Sequence, residues 1–102
     1  MKLLSVTACA AGVAHTFMAA ESIENAAKAR GHEIKVETQG ALGIENRITA
    51  EDIKEADAVI MTTDIPIRER DRFESLKVFN VSSTAMIKSA NKIIEAVEEN
   101  CK

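Results

Sequence analysis

Residues 3–21 read LLSVTACAAGVAHTFMAAE. An apolar run, Leu3 to Val6 with Thr7 and Ala8, has the continuous character of a strand buried on both faces. Met18 to Arg30 continues as a helix, and Cys9 to Phe17 joins the two. A cysteine therefore sits where a strand ends and a helix begins. The first turn of a helix carries N–H groups without intrahelical partners and the positive end of the dipole. Both lower a thiol's pKa and attract phosphate-like anions. Gly12 suits a tight turn, and Ala10, Ala11 and Ala14 leave little side chain to obstruct an anion.

The rest of the chain extends this unit. The helix from about Val13 to Arg30 puts Val13, Thr16, Ala20, Ile23 and Ala27 on one face, and Gly31 is its expected stop. Glu24 and Lys28 form an i,i+4 pair. His32 to Thr38 alternates Ile34 and Val36 with Lys35 and Glu37, the period of a half-exposed edge strand. Gln39 to Arg47, with two glycines, reads as a loop. Thr49 is the expected N-cap of a short helix, with Asp52 at its third position and Ile48 and Ile53 as a hydrophobic staple. Ala58 to Thr62 is a central strand, and Thr63 to Glu69 is a loop. Arg70 to Glu74 suits one helical turn, and Leu76 to Val81 is the fourth strand. Ser82 to Thr84 caps one last helix, with Ile87, Ala90, Ile94 and Val97 in a stripe.

Strands alternating with helices predict an α/β fold. The expectation is a four-stranded parallel sheet of order 2-1-3-4 with helices on both faces, a Rossmann-like three-layer sandwich. In such sheets ligands bind beyond the carboxyl ends of the strands, where strand order reverses. The Cys9 loop, the Asp64 loop and the Gln39 to Arg47 loop all leave the sheet at that end.

Composition narrows the function. At 102 residues the chain suits a single domain spanning 1–102. With no Trp or Tyr, three Phe and a net charge of −3, it is poorly equipped to bind nucleic acid. No apolar run approaches the roughly 20 residues of a membrane span, and no export signal is seen, so a cytoplasmic location is expected. Cys9 and Cys101 are not expected to pair in a reducing compartment. Two Cys and two His without close spacing do not make a zinc site, and no metal or cofactor is expected.

Cys9, His15 and Thr16 read C-x5-H-T. Cysteine phosphatases use C-x5-R-[S/T] around a phosphate. A His in the Arg position offers one donor where Arg offers a fork, a weaker clamp that suits a phosphoryl group in transit. His15 alternatively only packs. Thr16 bonds the thiolate or faces the sheet, and its place on the helix favours the sheet. Phe17 lies off the core stripe, as a partner contact or as cover for the underside of the loop. Cys101, among Glu98, Glu99 and Asn100, reads as a passive thiol, and Arg68, Arg70 and Arg72 as a solvated loop or a docking rim.

Val6 to Glu21 closely resembles the active-site segment of the fructose-family IIB components of the bacterial phosphoenolpyruvate-dependent sugar phosphotransferase system (PTS). Gly31 to Gly40, Ile44-Glu45-Asn46, Thr49 to Asp52, Ala56-Asp57 and Arg72-Phe73 resemble further segments of that family. The resemblance implies a phosphotransferase in which Cys9 takes a phosphoryl group from a phosphohistidine on a IIA domain. It implies transfer onward to a sugar, fructose or a relative, held by the membrane IIC component. It implies association with the inner-membrane transporter from the cytoplasmic side, without insertion. It places the phosphate loop on Ala10, Ala11, Gly12, Val13, Ala14, His15 and Thr16, with Phe17, Gln39, Gly40 and Asp64 flanking or docking. The family commonly has Pro-Thr after the cysteine, where this chain has Ala10-Ala11. A small cysteine phosphatase, or a binding module with an impaired site, are the alternatives.

Overall fold

The computed structural model describes residues 1–8, 13–40 and 43–101. β1 (Lys2–Thr7) leads to α1 (Val13–Ala29), β2 (Glu33–Gly40), β3 (Gly43–Glu45), α2 (Ala50–Glu55) and β4 (Ala58–Thr62). A 3-10 turn (Arg70–Phe73), β5 (Lys77–Val81), α3 (Ser83–Lys88) and α4 (Ala90–Asn100) complete the chain.

The sheet has five strands in the order β3-β2-β1-β4-β5 and is mixed. This corrects the expected four-stranded parallel sheet. β1 pairs in parallel with β2 and β4, and β4 with β5. The added strand, β3, runs antiparallel to β2, with Thr38 opposite Glu45 and Gly40 opposite Gly43. It lies inside the segment read as a loop, and it moves β2 off the sheet edge. Asn46, at φ 54, ends the strand and donates through Nδ2 to the Val36 carbonyl at 2.9 Å.

Alternation along β1 feeds two cores. Leu3 faces a layer with Ala19, Ile23, Ala27, Met86, Ile94 and Val97, under α1, α3 and α4. Leu4 and Val6 face Val59, Met61, Ile48, Ile67 and Phe73 on the other side. The buried stripe of α1 is Thr16, Ala19, Ile23, Ala26 and Ala27, with Ala20 only partly covered. Its small residues let the helix lie close to the sheet.

Local chemistry explains the element ends. Gly31 takes φ 80 and its N–H bonds the Lys28 carbonyl at 3.0 Å, while the His32 N–H reaches Ala27 at 3.0 Å, a Schellman closure. Thr49 and Asp52 form a reciprocal capping box. The final helix is two helices: Ser89, at φ −131 and ψ 31, breaks the backbone between α3 and α4.

Candidate active site

The parallel strands β1, β2 and β4 end together. Thr7 is level with Thr38, and Val6 with Met61. Just past this edge the side chain of buried Thr62 grips the chain leaving β1. Its Oγ1 accepts from the Ala8 N–H and donates to the Ala8 carbonyl, both at 2.9 Å. Thr62 thus extends the ladder by one side-chain rung to the residue before Cys9. Thr7 Oγ1 donates to the Thr16 carbonyl at 3.5 Å, tying the strand end to the first turn of α1. Cys9, Ala10, Ala11 and Gly12, the centre of the expected phosphate loop, lie outside the described residues, as does the side chain of Val13.

Of the remaining loop residues, Ala14 is exposed, His15 half-buried and Thr16 buried. Thr16 is buried on the same stripe of α1 as Ala19 and Ile23. His15 meets the loop after β4 through Ser83. Ser83 Oγ lies 3.3 Å from His15 Nδ1 and donates to Asp64 Oδ2 at 2.7 Å. The Ser83 N–H donates to Asp64 Oδ1 at 2.7 Å. Three elements distant in sequence are thereby joined beside the strand ends. Burial pushes the Asp64 carboxyl upward, and the Ser83 N–H, the Ser83 hydroxyl and the Asp64 N–H pull it down. With the nearby His15, they hold the carboxyl below its usual range. Phe17 and Met18, at 46% and 53% exposure, are the exposed large apolar residues on the same helix end.

Gln39 is part of the scaffold beneath this edge. It is buried; its Oε1 accepts from the Arg68 N–H at 2.7 Å and its Nε2 donates to the Arg68 carbonyl at 3.0 Å. Nε2 also donates to Glu37 at 2.8 Å. Glu37, wholly buried, takes two further bonds from Arg72 at 2.6 and 3.0 Å and one from the Ile48 N–H at 2.9 Å. Burial raises the Glu37 pKa, and these donors more than reverse it, leaving it below the usual range. Arg72 therefore is no rim residue: it bridges Glu37, the Ile48 carbonyl and the Glu69 carbonyl. Arg68 and Arg70 are exposed. Gly40 is half-buried at the turn end of β2, where a Cβ would meet nothing within 4 Å.

Sequence reasoning named Asp64 and His15 but not Ser83, which links the two, or Thr62, which ties Ala8 to the end of β4. Thr62 carries a faint signal, as the one polar residue ending an apolar strand. Ser83 follows a serine whose capping role, Ser82 Oγ accepting from the Ala85 N–H, is observed. Among the described residues no group of three or more His, Cys, Asp and Glu is placed to hold a metal. Among them, too, no helix is long and apolar enough to cross a membrane.

The arrangement, a histidine and a carboxylate joined through Ser83 near the carboxyl ends of the parallel strands, suits an anionic group in transfer. The family model described as PTS system, Lactose/Cellobiose specific IIB subunit, matches residues 5–96. The chain belongs to the PTS IIB family. This IIB chain is 50% identical over 97 residues to the PTS system fructose-like EIIB component 2 of Escherichia coli K12, covering 95% of this chain and 92% of that relative. It is 47% identical over 98 residues to the fructose-like EIIB component 1 of the same organism, covering 96% and 91%. The solution structure of an Enzyme IIB subunit of the PTS from Escherichia coli K12 superposes with a TM-score of 0.90. That pair is 46% identical, with 97% and 92% of the chains covered. A crystallised domain of a fructose-specific IIABC component from Borrelia burgdorferi gives 0.88 at 47% identity, covering 95% and 92%. The IIB chain is thus a phosphotransferase, a phosphoryl carrier of the PTS with an active-site cysteine. Its partners, in general terms, are the IIA and IIC components of that system.

Proposed function

We propose that residues 1–102 act as one fructose-like IIB domain. Cys9 takes a phosphoryl group from a IIA phosphohistidine and passes it to fructose or a related sugar bound by IIC. The observation that carries this reading is the match to fructose-like IIB components at 50% identity over 97 residues. Cys9 is the one cysteine within residues 5–96, the span of the family match, and it lies in sequence between β1 and α1. In each step the attacking atom, sulfur and then the sugar oxygen, displaces the previous carrier in line. Catalysis lies mainly in positioning and in donors around the transferred group.

Ala10 to Thr16 supply those donors, chiefly through backbone N–H groups at the start of α1. Ala10-Ala11 in place of Pro-Thr removes a side-chain hydroxyl and adds a backbone N–H at the proline position. Phe17 supplies an apolar contact to the donor domain, supported by its exposure at this edge. Docking on IIC from the cytoplasmic face brings Cys9 to the sugar without insertion into the bilayer. The test combines the chain, a phosphorylated fructose-type IIA and membranes containing a fructose-type IIC. Sugar phosphate that forms with the wild-type chain and not with Cys9→Ser is the expected result. Release of inorganic phosphate without sugar phosphate would instead favour a cysteine phosphatase.

A further inference from the structure

β5 is the last strand of the sheet among the described residues, and it leaves a five-residue edge open. The Val81 carbonyl accepts from the Thr63 N–H at 2.8 Å, so Val81 turns its peptide groups toward the β4 side. These groups alternate in direction along a strand. Lys77 and Phe79 therefore also turn inward, and the N–H and C=O of Val78 and Asn80 point out of the sheet edge. Such a row of backbone donors and acceptors is a template for a further strand. Between this edge and α4 runs a groove of about 490 Å³, lined by Phe79, Val81, Lys92, Ile93 and Ala96. α4 runs back antiparallel to β5: Lys77, at the start of the strand, donates through Nζ to the Asn100 carbonyl at the end of the helix. Lys92, Ala96 and Glu99 share one face of α4. Lys92 and Glu99 are exposed and enter no ion pair among the described residues, whereas Glu95 and Glu98 are engaged by Arg30.

We propose that this edge pairs with the same edge of a second copy of the chain, antiparallel and centred on Phe79, to form a two-fold dimer. The outward pattern of β5 is symmetric about Phe79. With the axis there, Val78 lies opposite Asn80 of the second copy, and each such pair exchanges N–H and C=O bonds. The two Phe79 side chains, half-buried in the single chain, face each other as the closer, non-hydrogen-bonded kind of cross-strand pair. Lys77, a charge that would guard the edge, comes opposite Val81 rather than another lysine. The two α4 helices run antiparallel across the joined grooves, with exposed Ala96 nearest the axis. Lys92 of each copy then meets Glu99 of the other. The order of charges along α4 is thus complementary to its own reverse, which selects a second copy as the occupant.

Sedimentation equilibrium tests this. One strand edge and one helix stripe make a small patch, so association is weak and the measurement must extend to about 1 mM. The expected result is a shift from 11.1 kDa toward twice that mass as concentration rises. Lys92→Glu and Glu99→Lys should each raise the dissociation constant about tenfold, because two ion pairs become two like-charge contacts. The combined Lys92→Glu, Glu99→Lys chain should restore the wild-type value. Asn80→Pro, which removes an outward N–H and leaves the ladder to β4 intact, should abolish the dimer. A wild-type chain that stays monomeric at about 1 mM overturns the proposal and leaves the edge to a strand of a different protein. A dimer that survives Asn80→Pro, or a charge swap that restores nothing, overturns this interface.

Discussion

Replacing Arg72 with Met should be among the most damaging single changes away from Cys9. Glu37 has no exposed surface, and Arg72, with 16% of its side chain exposed, gives it two of its four hydrogen bonds. Methionine fills much of the volume but leaves a buried carboxylate with the Gln39 amide and the Ile48 N–H alone. Breaking a buried ion pair from one side costs about 3 to 5 kcal/mol. That is a large share of the roughly 5 to 15 kcal/mol that stabilises a typical domain. With a urea dependence of about 1 to 3 kcal/mol per molar, the midpoint should fall by about 1 M or more.

The pH dependence has a distinct sign. In the wild-type chain Glu37 is held below its usual range, so its contribution is complete above the unfolded value of about 4.3 and fades as acid protonates the folded carboxyl. In Arg72→Met burial prevails and the Glu37 pKa rises above that value. The penalty is then greatest at neutral pH and shrinks as the pH falls toward 4. Urea titrations at pH 7 and near pH 4.5, with Glu37→Gln added to Arg72→Met, test this. The account expects a gap from wild type that narrows in acid, and recovery of most of the loss in the double variant. A loss below about 1 kcal/mol at pH 7, or a gap indifferent to pH, would refute it.

Thr62→Val keeps the shape but removes both bonds to Ala8, leaving a buried N–H unpaired. It should cost about 1 to 3 kcal/mol in chemical denaturation and change the alkylation rate of Cys9. Phe17→Ser should leave stability within about 0.5 kcal/mol of wild type while raising the apparent KM for the IIA donor in a transfer assay. An unaltered KM would remove Phe17 from the interface. Asp52 is held at about 2, first by the Lys35 ammonium at 2.8 Å and then by the Thr49 cap. Its stabilising effect is present above the ordinary aspartate value of about 3.9 and lost as the pH falls toward 2. Lys35→Met should move its titration upward, as followed by carboxyl 13C shifts.

The elements with strong local signals were legible in the sequence: the apolar runs of β1 and β4, the Thr49–Asp52 box and the Gly31 stop. β3 was not. Three residues beginning with Gly43, close to a second glycine, look like a turn, and only pairing to Thr38–Gly40 makes them a strand. Alternation in β2 placed Glu37 on an exposed face. Its burial depends on Arg72, 35 residues later, which no local pattern reveals. The break at Ser89 was hidden because the apolar stripe continues across it. At the site, strand order alone brought the Asp64 loop toward the start of α1. The joining residue, Ser83, is fixed by the packing of α3 against α1, a tertiary event. The bonds of Gln39 to Glu37 and to the Arg68 backbone were not legible either, since Arg68 lies 29 residues later in the chain.

The central claim, that Cys9 carries a phosphoryl group, is tested most directly by intact-mass analysis of the chain after incubation with a phosphorylated fructose-type IIA donor, beside Cys9→Ser. The account predicts one added phosphoryl group on the wild-type chain and none on the variant. An equal adduct on both, or none on either across suitable donors, would contradict it.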